Sequence, residues 1–133
     1  DSADALPALS SALHDRDGYV RLHVAEVLIR HDDWSQQALN TLVDCLKDKD
    51  ENVRWLASYS LAELAPQSFD AVTALQAALH DPTPKVRVGA AYALGEIGPP
   101  AKAAVPELSR LSESSDSETK TAATFALKQI NEN

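Results

Sequence analysis

The 133-residue sequence contains no methionine, one cysteine, four glycines, two phenylalanines and only 12 basic residues against 20 acidic ones. Each scarcity excludes something. A lone Cys45 has no second cysteine in the chain to pair with, so folding needs no oxidising compartment, though it does not exclude one. The shortage of basic residues gives a net charge of −8, a field that repels phosphate backbones and anionic bilayers. Neither nucleic acid nor membrane is therefore an expected partner. No apolar run approaches the roughly 20 residues that span a bilayer, and no signal peptide is visible. The first residue is Asp1 rather than an initiator methionine, which leads us to expect that further chain lies upstream. A cytoplasmic location is slightly favoured over a secreted one. Gly-rich phosphate loops, Gly-x-Ser-x-Gly elbows and His-Glu-x-x-His motifs are all missing, so neither an enzyme nor a cofactor is expected.

What is present is hydrophobic, at 44% of residues, and rich in Ala and Leu, a composition that favours closely packed helices. A chain of this size buries roughly 65 to 70% of its unfolded surface, enough for one domain with a core. The hydrophobic pattern recurs every 33 residues: Val20-Arg21, Val53-Arg54 and Val86-Arg87 are in register, with Thr119-Lys120 as a degenerate fourth copy. Three further columns keep the spacing without insertion: Ala5, Ala38, Ala71 and Ala104; Leu9, Leu42, Leu75 and Leu108; Leu28, Leu61, Leu94 and Leu127. A fixed period of this length marks stacked repeats.

Within one copy, Leu39, Leu42, Val43 and Leu46 follow helical spacing, and Val53, Ala57, Leu61 and Leu64 do so again after a polar turn. Each repeat is thus helix, turn, helix, and the expected units are about 2–33, 34–66, 67–99 and 100–133 of a single domain. Asp17, Asp50, Thr83 and Asp116 precede the second helices, where a side-chain oxygen accepts from free backbone N–H groups. Pro84 follows Thr83 at the first helical position, where its missing N–H costs nothing. Asp32-Asp33, Ala65-Pro66 and Gly98-Pro99-Pro100 stand at the exits.

Ankyrin and tetratricopeptide repeats have similar periods, but the first-helix motifs of both are absent. The motif that stands here is Asp-x5-Arg followed by a small-residue helix: Asp48 to Arg54 with Ala57 and Leu61, and Asp81 to Arg87 with Ala90, Ala91, Ala93, Leu94, Gly95 and Gly98. This pattern resembles the HEAT-like repeat family, in the short bacterial form of phycobilisome-lyase-type proteins. Ala104-Val105-Pro106-Glu107-Leu108 resembles that family's kinked first helix. The resemblance implies a right-handed, all-α solenoid of four repeats and eight helices. It departs at His31, Ser114, Thr119 and Lys120, and Ser112 replaces the Leu of the other copies, as suits a terminal repeat with a polar outer face.

Asp15, Asp48 and Asp81 with Arg21, Arg54 and Arg87 could be acids and bases, but the resemblance implies a structural ladder between turns. A carboxylate paired with a guanidinium stays ionised, the wrong state for a general acid. His14-Asp15 and His80-Asp81 invite a metal reading. They stand two repeats apart, roughly 20 Å at about 10 Å per helix layer, whereas metal ligands lie about 2 Å from the ion. No metal site is expected. Cys45 shares a column with Ala12, Ala78 and Leu111 and reads as core.

Counting 100° per residue from Val53, the core side of the second helix takes Val53, Ala57, Ser60, Leu61 and Leu64. The opposite side takes Trp55, Ser58, Tyr59 and Ala62, with Leu22, Ala25, Val88, Ala91, Tyr92 and Gly95 in register. In HEAT-like proteins the second helices line the concave side, so Leu22, Trp55, Tyr59, Val88 and Tyr92 are the candidate contact residues for a protein partner. Glu26, Glu63 and Glu96 form its rim. The competing account is that Tyr59, Tyr92 and Phe125, a single column, only seal the joint between second helices. The expected function is a scaffold, monomeric as an isolated domain, that holds a segment of a partner protein. An accessory subunit of a larger enzyme, by analogy with phycobilin lyases, and a structural spacer are the alternatives.

Overall fold

The computed structural model describes residues 2–64 and 69–132, with side chains from 7 to 64 and 70 to 132. The exit at Ala65-Pro66 lies outside the described residues. Among the described residues eight α-helices run in order: α1 Ser2–Ala12, α2 Gly18–Leu28, α3 Ser35–Cys45, α4 Glu51–Glu63, α5 Val72–Ala78, α6 Pro84–Ile97, α7 Val105–Leu111 and α8 Ser117–Asn131. No strand occurs among the described residues.

The turn chemistry explains where the second helices start. Asp17 accepts from the Tyr19 N–H at 2.9 Å, Asp50 from the Asn52 N–H at 2.8 Å, and Asp116 from the Thr119 N–H at 3.1 Å. Each bond satisfies a donor that the first helical turn leaves free. Pro84 opens α6, and Gly98 closes it with φ +80°, a conformation that a β-carbon would strain, while its N–H reaches the Leu94 carbonyl at 3.0 Å. The first helices of the last two repeats are short. A 3₁₀ turn, Phe69–Ala71, leads into α5, and another, Pro99–Ala104, leads into α7, whose second residue is Pro106. Proline lacks the N–H that a longer helix would bond at these positions, so the chain bends before α7.

The chain divides into two compact units, Asp1–Ala57 and Ser58–Asn133, and the division falls within α4. In the first unit α2 packs against both α1 and α3. Its core includes Leu22, Leu28, Leu42 and Cys45, all fully buried. Burial raises the pKa of the Cys45 thiol, because the thiolate would lose its hydration there. In the second unit α6 lies between α5 and α8, and α7 also packs on α8. Leu61, Leu75, Leu79, Leu94 and Leu108 are fully buried there. Each such leucine contributes about 1.5–3 kcal/mol relative to an exposed one.

Candidate partner-binding surface

The Asp and Arg columns come together in the turns. Asp15, Asp48 and Asp81 each turn one carboxylate oxygen back on the N–H two residues ahead, at 2.8, 2.9 and 2.9 Å. Arg21, Arg54 and Arg87 each donate to the carbonyl of that same aspartate, at 2.5, 2.8 and 2.7 Å. Arg21 then spans to the next turn, where its second guanidinium nitrogen meets the other oxygen of Asp48 at 2.7 Å. Each arginine thus ties its own turn to the start of its second helix, and Arg21 also joins two successive turns. Among the described residues, no group of three His, Cys, Asp or Glu side chains gathers as a metal site would require.

The second-helix face requires correction. Leu22 and Ala25 are fully buried, as are Ser58 in the second unit and, within 3%, Val88 and Ala91. Angular counting places a residue relative to one partner helix. These second helices are covered on more than one side, α2 by α1 and α3, and α6 by α5 and α8. Leu22 and Val88 are therefore core residues, and Leu22 presents no surface to a partner. Trp55 is half-buried, and Glu26 is engaged by the imidazole of His23 at 3.0 Å.

The second unit carries a small accessible part of this face, while Trp55, half-buried like Tyr92, belongs to the first unit. Tyr59, 40% exposed, stands beside half-buried Tyr92. Both tyrosines line two hollows. One, of about 430 Å³, is completed by Ala62, Glu63 and Glu96. The other, of about 300 Å³, is completed by Val88, Ser117, Glu118 and Thr121. Val88 contributes only its edge, in keeping with its burial. The tyrosines are braced from beneath: Tyr92 meets the Phe125 ring at a centroid distance of 5.4 Å, and the Tyr59 ring lies against Gly89. Angular counting does not find Ser117 and Glu118, because they belong to the first turn of α8, and only the packing of α8 on α6 brings them beside Tyr92.

Electrostatically the surface is one-sided. Glu63 is the last residue of α4 and Glu96 the penultimate residue of α6, and neither helix has a basic residue in its last turn. Carboxylates there face the negative end of the helix dipole, an unfavourable position that a cation relieves.

A family profile for HEAT repeats matches residues 6–77 and 39–128. The chain belongs to the HEAT repeat family. As a HEAT repeat protein it is an all-helical α-solenoid in fold class, and solved structures of similar fold agree. Two engineered proteins align at TM-score 0.76, with 26% and 27% identity, over 98% and 99% of the chain. A designed armadillo repeat protein in complex with the peptide (KR)4 aligns at TM-score 0.78 and 23% identity over 98% of it, a likeness of fold. The chain spans 64 to 66% of the length of these three structures. A search of curated proteins finds no match. No helix among the described residues is long and apolar enough to cross a membrane.

Proposed function

We propose that this HEAT repeat chain is a non-catalytic protein-interaction scaffold, and that its contact surface is the second-helix face around Tyr59 and Tyr92. The observation that carries the reading is the exposure of Tyr59 between two hollows, next to a second tyrosine braced by Phe125. Large amphipathic rings on a rigid helical face supply contact area at little entropic cost, and such residues dominate interface energetics. A peptide-bound armadillo array indicates that repeat proteins of related fold can serve this purpose.

Photo-crosslinking tests the proposal. With p-benzoylphenylalanine in place of Tyr59, crosslinks to a defined protein are expected, and Tyr92→Ser should weaken them more than Phe125→Leu, which loosens the same ring contact from below. A probe in place of Lys102, exposed elsewhere on the second unit, should not capture the same protein. If Tyr92→Ser leaves capture unchanged but lowers the melting temperature, the tyrosines are packing residues and the proposal is wrong.

A further inference from the structure

We propose that the occupant of the Tyr59–Tyr92 surface is a basic segment, with a Lys or Arg side chain seated in the hollow between the tyrosine rings and the carboxylates of Glu63 and Glu96. The inference rests on the reading of this face as a docking surface and adds the chemistry of what docks.

Charge and shape agree on that occupant. The hollow is lined by Tyr59, Ala62, Glu63, Tyr92 and Glu96, so every charged group around it is acidic. Some carboxylates elsewhere are answered from within the chain: Asp48 by Arg21, Glu107 by Arg110 and His80, Glu132 by Lys128. Among the described residues no cation pairs with Glu63 or Glu96, and both stand at the negative ends of their helices. A cation arriving there gains from two carboxylates and two helix termini at once. The rings add a second attraction. A tyrosine face is electron-rich and draws an ammonium or guanidinium over it, while the methylene stem of Lys or Arg packs on the same ring. Ala62, the small residue of the lining, leaves room for that stem. The second hollow extends the acidic character with Glu118 on the far side of the tyrosines, so a neighbouring basic residue would also be accommodated. An acidic segment or a nucleic acid would be repelled by the same groups and by the net charge of −8.

The test is a titration of the whole chain with a labelled short peptide of alternating Lys and Arg, against the same peptide with Gln at every position, at physiological ionic strength. The basic peptide should bind and the Gln peptide should bind at least about tenfold more weakly. Glu63→Gln with Glu96→Gln should weaken the basic peptide by roughly tenfold, with a melting temperature equal to or above that of the parent. Glu113→Gln with Glu132→Gln removes the same charge elsewhere and should leave affinity unchanged. Equal losses in the two double variants would reduce the attraction to the overall field and overturn the inference, as would equal binding of the two peptides or no binding of the basic one. The two readings separate in the crosslinking assay. Capture from position 59 that depends on Tyr92 but is indifferent to Glu63→Gln with Glu96→Gln keeps the docking surface and overturns the basic occupant; capture indifferent to Tyr92 as well overturns the surface itself.

Discussion

The Tyr59 ring lies directly on the backbone of Gly89, so that a β-carbon added to Gly89 would fall 2.7 Å from the ring and overlap the Ser58 hydroxyl. The column of Gly89 otherwise holds His23, Leu56 and Ala122, so a small residue is not a requirement of the repeat pattern. It is a requirement of this one joint, where the last turns of α4 approach α6. The glycine also holds the exposed tyrosine at a fixed height.

Gly89→Ala should therefore destabilise the chain. Alanine gains about 1 kcal/mol of helix propensity over glycine, but overlap with a packed ring and a buried hydroxyl costs about 1–3 kcal/mol. A net loss of about 1 kcal/mol is expected in urea unfolding. Stability equal to or greater than the parent would show that Tyr59 moves aside freely, and would weaken the case for a rigid surface.

The ladder of turns offers a second test. Asp48 joins its own turn to Arg21, whereas the last turn has Ser114 in the corresponding position, accepting from the Asp116 N–H at 3.1 Å but bringing no charge toward Arg87. Asp48→Asn should cost about 1–2 kcal/mol, because the half-buried guanidinium of Arg21 loses its anionic partner. Ser114→Asp should stabilise by about 0.5–1 kcal/mol, and that gain should vanish in an Arg87→Met background. A gain that persists without Arg87 would point to better capping of the turn instead.

Acid should loosen the last repeat first. Asp116 is held below the usual aspartate range by bonds from the Thr119 hydroxyl and the Thr119 N–H, and Glu107 is held low chiefly by its bond from Arg110. A carboxyl whose folded pKa is depressed stabilises the fold above its unfolded pKa and loses that contribution as pH falls through the folded value. The melting temperature should thus hold from neutral pH to about 5 and fall below about 4. Asp116→Asn, which retains a capping oxygen, should change little at neutral pH and give a shallower acid limb. An unchanged limb would assign the acid sensitivity to other carboxylates.

How much could be read in advance differs by element. The leucines of the period show why the helices were legible. Leu42, Leu75 and Leu108 are fully buried at one spacing, and Val53, Ala57 and Leu61 at another, because a helix must bury one stripe wherever the chain later goes. The turn bonds of Asp17, Asp50 and Asp116 were legible for the same reason: a capping oxygen acts within a few residues of itself. Leu22 and Val88 show where such counting fails. Their helical angle alone places them outside, but further helices cover that side and take them into the core. Glu118 fails in the opposite sense, reaching the surface from a different element with no signal in its spacing.

The sequence by itself therefore determined the all-helical class, the 33-residue unit and the starts of the second helices, since these depend on local bonds and on one buried stripe per helix. Tertiary structure alone decided which part of the second-helix face stays in water. That choice depends on how many neighbours each helix has, a property of the stack and not of any single repeat. It took Leu22 and Val88 into the core and left Tyr59, Tyr92 and the carboxylates beside them accessible.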